Sequence, residues 1–108
     1  MSTVTINIAK DFSMEPAGRY PEDGPNNGQR FRLEQLVPAL ASATKVIVEL
    51  DGTEGYGSSF LDEAFGGLVR DHGYSPSTLR AKLELRSDED ESIPLEIYEY
   101  IDTARATK

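Results

Sequence analysis

The sequence predicts a single α/β domain over residues 1–108, with a small mixed sheet packed by about three helices. Three observations predict it. Residues 3–9, TVTINIA, alternate with Val4, Ile6 and Ile8 on one side, the pattern of a half-buried strand. Residues 45–50, KVIVEL, are nearly continuously apolar, as a central strand is. Around them, apolar residues recur at helical spacing: Phe31, Leu36, Val37 and Leu40, then Leu61, Ala64, Phe65, Leu68 and Val69.

The remaining elements follow in order. Residues 11–28 are rich in Pro, Gly and Asn and predict a long loop with a short extended piece near residues 17–20. Asn27 or Gly28 caps a helix to about Ala43, which Pro38 should kink or divide. A second helix spans residues 59–72, ended by Gly73 in the left-handed position. Residues 75–77, SPS, read as a turn, and residues 79–86 alternate as a further strand. After the acidic link 87–92, Ser92 caps a last helix with Pro94 in its first turn and Ile93, Ile97, Tyr100, Ile101 and Ala104 inward.

Composition excludes several functions. The formal charge of −8 has the wrong sign for coating nucleic acid. It reads first as an acidic surface that keeps a small domain soluble, with a basic protein partner as the second reading. Absent cysteine removes disulfides, thiolate catalysis and Cys-based zinc sites, and with His72 as the one histidine no metal or other cofactor is expected. No stretch approaches the ~20 apolar residues of a membrane span. The amino terminus also lacks a secretory pattern, so a cytoplasmic location with no membrane partner is expected.

The segment 46–67, VIVELDGTEGYGSSFLDEAFGG, concentrates the candidate chemistry. Its Gly-rich turn brings Ser58 and Ser59 to a helix start, where added phosphate meets unpaired amides. Gly52 and Gly55 with those serines read either as an anion-binding nest, with Arg19 as a clamp, or as an ordinary strand-to-helix turn with a serine cap. No Lys follows the glycines, so this is not a P-loop. The order of residues 49–53, ELDGT, matches the haloacid dehalogenase opening motif except that Glu49 stands at the nucleophile. A serine triad fails on spacing, since His72 lies roughly 20 Å along the helix that the serines start. Gly66 and Gly67 each cost about 1 kcal/mol in a helix. With Asp62, Glu63 and Arg70 they fall on the expected outer face, either as a groove for a partner or as a contact with the protein's own loop.

The blocks INIAKDFS, GRYPEDGPNNGQRFR and VIVELDGTEGYGSSFLDEAFGGLVR resemble the STAS-like domains of unknown function, relatives of the sulfate-transporter and anti-sigma-factor-antagonist domain. The similarity covers roughly residues 4–71. In the antagonists a serine at the helix start, within Asp-Ser-Ser-Gly-Leu, is phosphorylated by a kinase of the histidine-kinase ATPase fold. The resemblance carries that role to Ser58, with Gly57 in place of the Asp and Phe60 in place of the Gly. It implies a non-enzymatic, bacterial, partner-switching domain whose phosphoacceptor is Ser58 or Ser59. Asp51, Gly57, Asp62, Glu63, Gly66, Gly67 and Arg70 would dock the protein partner, an ATPase or serine kinase. The alternative is an anionic-ligand or nucleotide site built from Arg19, Gly52 and Gly55.

Overall fold

Strands β1 (Thr3–Asn7), β2 (Lys45–Glu49) and β3 (Leu83–Arg86) form one sheet in the order β1-β2-β3 in the computed structural model, which describes residues 2–105. Both pairings are parallel: Thr3 lies opposite Lys45, and Val46 opposite Leu83. A parallel neighbour requires a crossover, and helix occupies each crossover here. The expected α/β class therefore holds, with a parallel rather than a mixed sheet among the described residues. Val46 and Val48 on central β2 are fully buried, consistent with its apolar run.

Helix α1 runs over residues 28–42. Asn27 caps it, its side chain accepting the Arg30 amide at 2.8 Å. The helix is continuous through Pro38. A wider π-type turn, Arg32–Leu36, precedes the proline, and this irregularity accommodates the ring and the missing donor. Helix α2, residues 58–72, has the same construction: one regular turn, a π-type turn at Asp62–Gly66, then Gly67–His72. Gly73 ends it at φ +75°, as expected.

Three boundaries differ from the sequence expectation, the first being β1, which ends at Asn7 where a π-type turn, Ile8–Phe12, takes over. Residues Pro76–Lys82 form helix α3, and β3 begins only at Leu83. Ser75 accepts the Thr78 amide at 3.1 Å and Pro76 takes the first turn, so the Ser-Pro pair starts a helix instead of making an isolated turn. The alternation of Leu79 and Ala81 is too short to distinguish strand from one helical turn. Helix α4 spans Ser92–Thr103 with Glu91, not Ser92, at its N-cap and no side-chain cap bond; the Ser92 amide donates to Asp90 Oδ1 at 3.0 Å. Loop 13–27 contains a 3₁₀ turn, Pro21–Asp23, and no extended strand near residues 17–20.

The core lies between the sheet, α1, α2 and α4. Phe31, Phe60 and Phe65 are fully buried and meet in an aromatic cluster, with Phe31–Phe60 and Phe31–Phe65 centroids 5.8 and 6.2 Å apart. Ile97 and Ile101 bury α4, as its spacing predicts. No helix among the described residues is long and apolar enough to cross a membrane.

Candidate functional site

Several donors of the turn from β2 to α2 are already engaged within the protein. Gly52 and Gly55 adopt φ of +95° and +124°, which only glycine takes readily. The Gly52 amide donates to Glu89 Oε1 at 3.1 Å and the Gly55 amide to Thr53 Oγ1 at 3.3 Å. The Glu54 amide reaches the Met14 carbonyl at 2.8 Å. Tyr56 Oη donates to the Leu50 carbonyl at 2.7 Å, and burial pushes its phenol up to about 12. A hollow of about 170 Å³ beside this turn is lined by Asp51, Glu54, Glu89 and Asp90 without a basic side chain. Such a hollow repels an anion.

Asp51 latches the turn to the acidic link. It accepts the Asp88 amide and the Ser87 hydroxyl, each at 2.8 Å, and the Glu89 amide at 3.1 Å. The Asp88 amide first, then the Ser87 hydroxyl, hold its carboxyl below the usual carboxylate range. A lowered folded value means that the stabilisation is complete above the unfolded pKa and is lost as pH falls through the folded one. The gap in melting temperature between wild type and Asp51→Asn is therefore expected to close as the solution is acidified through that range. A gap independent of pH contradicts the latch.

Ser58 and Ser59 are exposed on the first turn of α2. Gly57 occupies the N-cap in extended conformation and provides no side-chain bond, so neither serine is the cap that the sequence allowed. The Tyr100 phenol donates to Glu96 Oε2 at 2.7 Å. That bond to Glu96, then burial, raises the phenol above its ordinary value.

The expected outer face of α2 is largely inside. Glu63 is 3 % exposed, and Gly66 and Gly67 are buried. The π-type turn shifts the angular phase of the helix, while α1 and α4 pack on the two flanks of the same turn. Arg32 of α1, itself 2 % exposed, fills the position expected to be a groove. Its Nη1 meets Glu63 Oε2 at 2.8 Å and donates to the Glu63 carbonyl. Its Nη2 lies 3.3 Å from Asp71, and its Nε donates to His72 Nε2 at 3.2 Å. A Cβ on Gly67 would collide with this guanidinium, and one on Gly66 would lie 2.7 Å from Asp62 Oδ1 and 2.9 Å from Arg70 Nη1. The glycines thus admit the protein's own arginines, a different contact from the loop weighed on sequence.

Arg19 and Arg70 complete the network. Arg19 Nη1 lies 2.9 Å from Asp62 and 3.3 Å from Glu63, so the structure takes it to α2 and engages it there. Arg70 meets Asp62 at 3.0 Å and Glu63 at 3.7 Å. Burial works against the Asp62 carboxylate, but Arg19 and then Arg70 outweigh it and lower its pKa. Burial first, then the Arg32 charge, lowers that of His72. Arg32 is the residue that sequence reasoning missed. Glycines on both α1 and α2 were the available signal, since paired small residues mark a close helix crossing.

A family model of STAS-like domains of unknown function (DUF4325) matches residues 27–92, more than half of the chain. The chain belongs to this family. In this STAS-like domain the match runs from the α1 cap to the first residue of α4, further toward the carboxyl end than the resemblance seen in the sequence. It includes the 50–57 turn and the α2 network and leaves β1 outside. Comparison with curated proteins gave no match, nor did comparison with solved structures. Among the described residues no group of three or more His, Cys, Asp or Glu is placed to hold a metal ion.

Proposed function

We propose that this STAS-like domain is a non-enzymatic regulatory module of the cytoplasm, docking a protein partner around the start of α2 and accepting phosphate on Ser58. The observation that carries the reading is the exposure of Ser58 and Ser59 on the first turn of α2, behind a glycine cap with no side chain of its own. In the transfer, Ser58 Oγ attacks the γ-phosphorus of ATP held by the partner, ADP leaves, and the hydroxyl proton passes to a base of the kinase. The product gains about −1.5 to −2 charge. That charge sits on the exposed first turn of α2, so the surface that a partner reads there changes in charge.

The docking surface is smaller than the sequence implied. Gly57, Ser58 and Ser59 present an exposed tip, and the partly exposed Asp62 and Arg70 form its rim. Glu63, Gly66 and Gly67 support it from inside. Against the nucleotide or anion alternative, the Gly52 and Gly55 amides already have partners within the protein and Arg19 Nη1 is turned to Asp62 and Glu63.

Intact-mass measurement after incubation with ATP and a kinase of the histidine-kinase ATPase fold is expected to show one added phosphate. Ser58→Ala should lose it and Ser59→Ala should keep it. No phosphate on the wild type, together with unchanged partner binding by Ser58→Glu, refutes the switch.

A further inference from the structure

The outer edge of β3 is open where it meets an acidic hollow. The Arg86 carbonyl accepts the Leu50 amide at 2.9 Å, so Arg86, and Glu84 two residues before it, face β2. Leu83 and Leu85 therefore direct their backbone groups outward. Leu83 is covered: its amide donates to the Leu79 carbonyl, and its own carbonyl accepts Tyr98 Oη at 2.9 Å. Leu85 has no hydrogen-bond partner outside the sheet among the described residues, on either its amide or its carbonyl. Beside it lies a depression of about 500 Å³ between β3 and the start of α4. Leu85 and Pro94 give this depression apolar surface, and Glu49, Asp88 and Glu91 give it negative charge. Its one basic side chain, Arg86, is already paired with Glu84 and lies 4.0 Å from Glu49.

We infer that this edge docks an extended, lysine- or arginine-rich segment of a partner protein, which adds to the sheet alongside β3. An added strand supplies the donor and acceptor that Leu85 lacks, and its alternate side chains fall into the depression, where cations meet Asp88, Glu91 and Glu49. Charge selects this occupant over a second copy of the chain, since two molecules of charge −8 repel. An edge strand left without a covering segment is itself a pairing template. The site is separate from Ser58 and holds whether or not that serine accepts phosphate.

The test is an NMR titration of the full chain with an end-blocked peptide of alternating Lys and Val, about six residues long as ordinary strands are. Binding should slow hydrogen exchange at the Leu85 amide by about tenfold or more. Replacing Lys by Glu in the peptide, or making the Asp88→Lys/Glu91→Lys variant, should weaken binding by about tenfold or more. Both substituted side chains are exposed and lie outside the core, so the variant should fold. Methylating the peptide's backbone nitrogens should weaken it equally. Ser58→Ala should bind like wild type. Absence of binding, equal binding of the methylated peptide, equal binding by the charge-reversed variant, or unchanged exchange at Leu85 overturns the proposal. So does a peptide-free dimer in sedimentation with Leu85 already protected, which would assign the edge to a second copy.

Discussion

Arg32→Met is expected to destabilise the domain by about 3–5 kcal/mol, the largest single effect in this chain, because it removes one partner of a buried ion pair and leaves the other charged. Arg32 and Glu63 are 2 % and 3 % exposed, and four groups converge on the guanidinium: the Glu63 carboxylate and carbonyl, Asp71 and His72. Without it Glu63 retains Arg19 at 3.3 Å and Arg70 at 3.7 Å, longer contacts from the rim. Partial compensation from these two favours the lower end of the range. The paired substitution Arg32→Met with Glu63→Leu should recover much of the loss, since it removes both charges and fills the space with apolar atoms. Urea unfolding of the wild type, the single variant and the double variant decides it. A single-variant loss under about 1 kcal/mol would place the pair among weak surface contacts.

Gly28→Ala should cost about 1–3 kcal/mol, although alanine is the better helix former by about 1 kcal/mol in a helix interior. A Cβ there would lie 2.6 Å from the Phe60 carbonyl oxygen, 3.1 Å from the Ala64 nitrogen and 3.1 Å from Glu63 Cβ. The first two are backbone atoms of α2, which yield only if the helices separate. That separation would also strain the Arg32–Glu63 pair one turn along α1. Gly57→Ala is the matched control. It has nothing within 4 Å and an ordinary φ of −78°, so its cost should be only that of alanine at an N-cap, about 1 kcal/mol or less. Melting temperatures that rank the two variants in the opposite order would refute the close crossing of α1 and α2.

Both results concern residues whose roles differ in legibility. The α2 stripe of Leu61, Ala64, Phe65, Leu68 and Val69 was legible, because a partly buried helix repeats its apolar residues at the helical period. β1, β2, the Asn27 cap and the Gly73 terminus were legible for similarly local reasons. The start of β3 was not, since Leu79 and Ala81 satisfy either period over so short a stretch. The facing of Glu63, Gly66 and Gly67 was not legible either. A helical wheel assumes regular turns and one buried side, whereas α2 contains a π-type turn and is enclosed by α1 and α4. At the candidate site, the exposure of Ser58 and Ser59 could be anticipated from a polar pair after a Gly-rich turn. Occupation of the Gly52 amide by Glu89 could not, because that partner is 37 residues away in the chain.

By itself the sequence determined the α/β class, the family, and the serine pair at the start of a helix. These depend on periodicity, turn residues and a local motif. Only the tertiary structure decided that Arg32 and Glu63 are core, that the Gly-rich turn is filled by the protein's own carboxylate, and that the outer edge of β3 stays open at Leu85. The reason is physical: burial and hydrogen-bond satisfaction belong to pairs of surfaces brought together by folding, and a one-dimensional pattern carries only one surface of each pair.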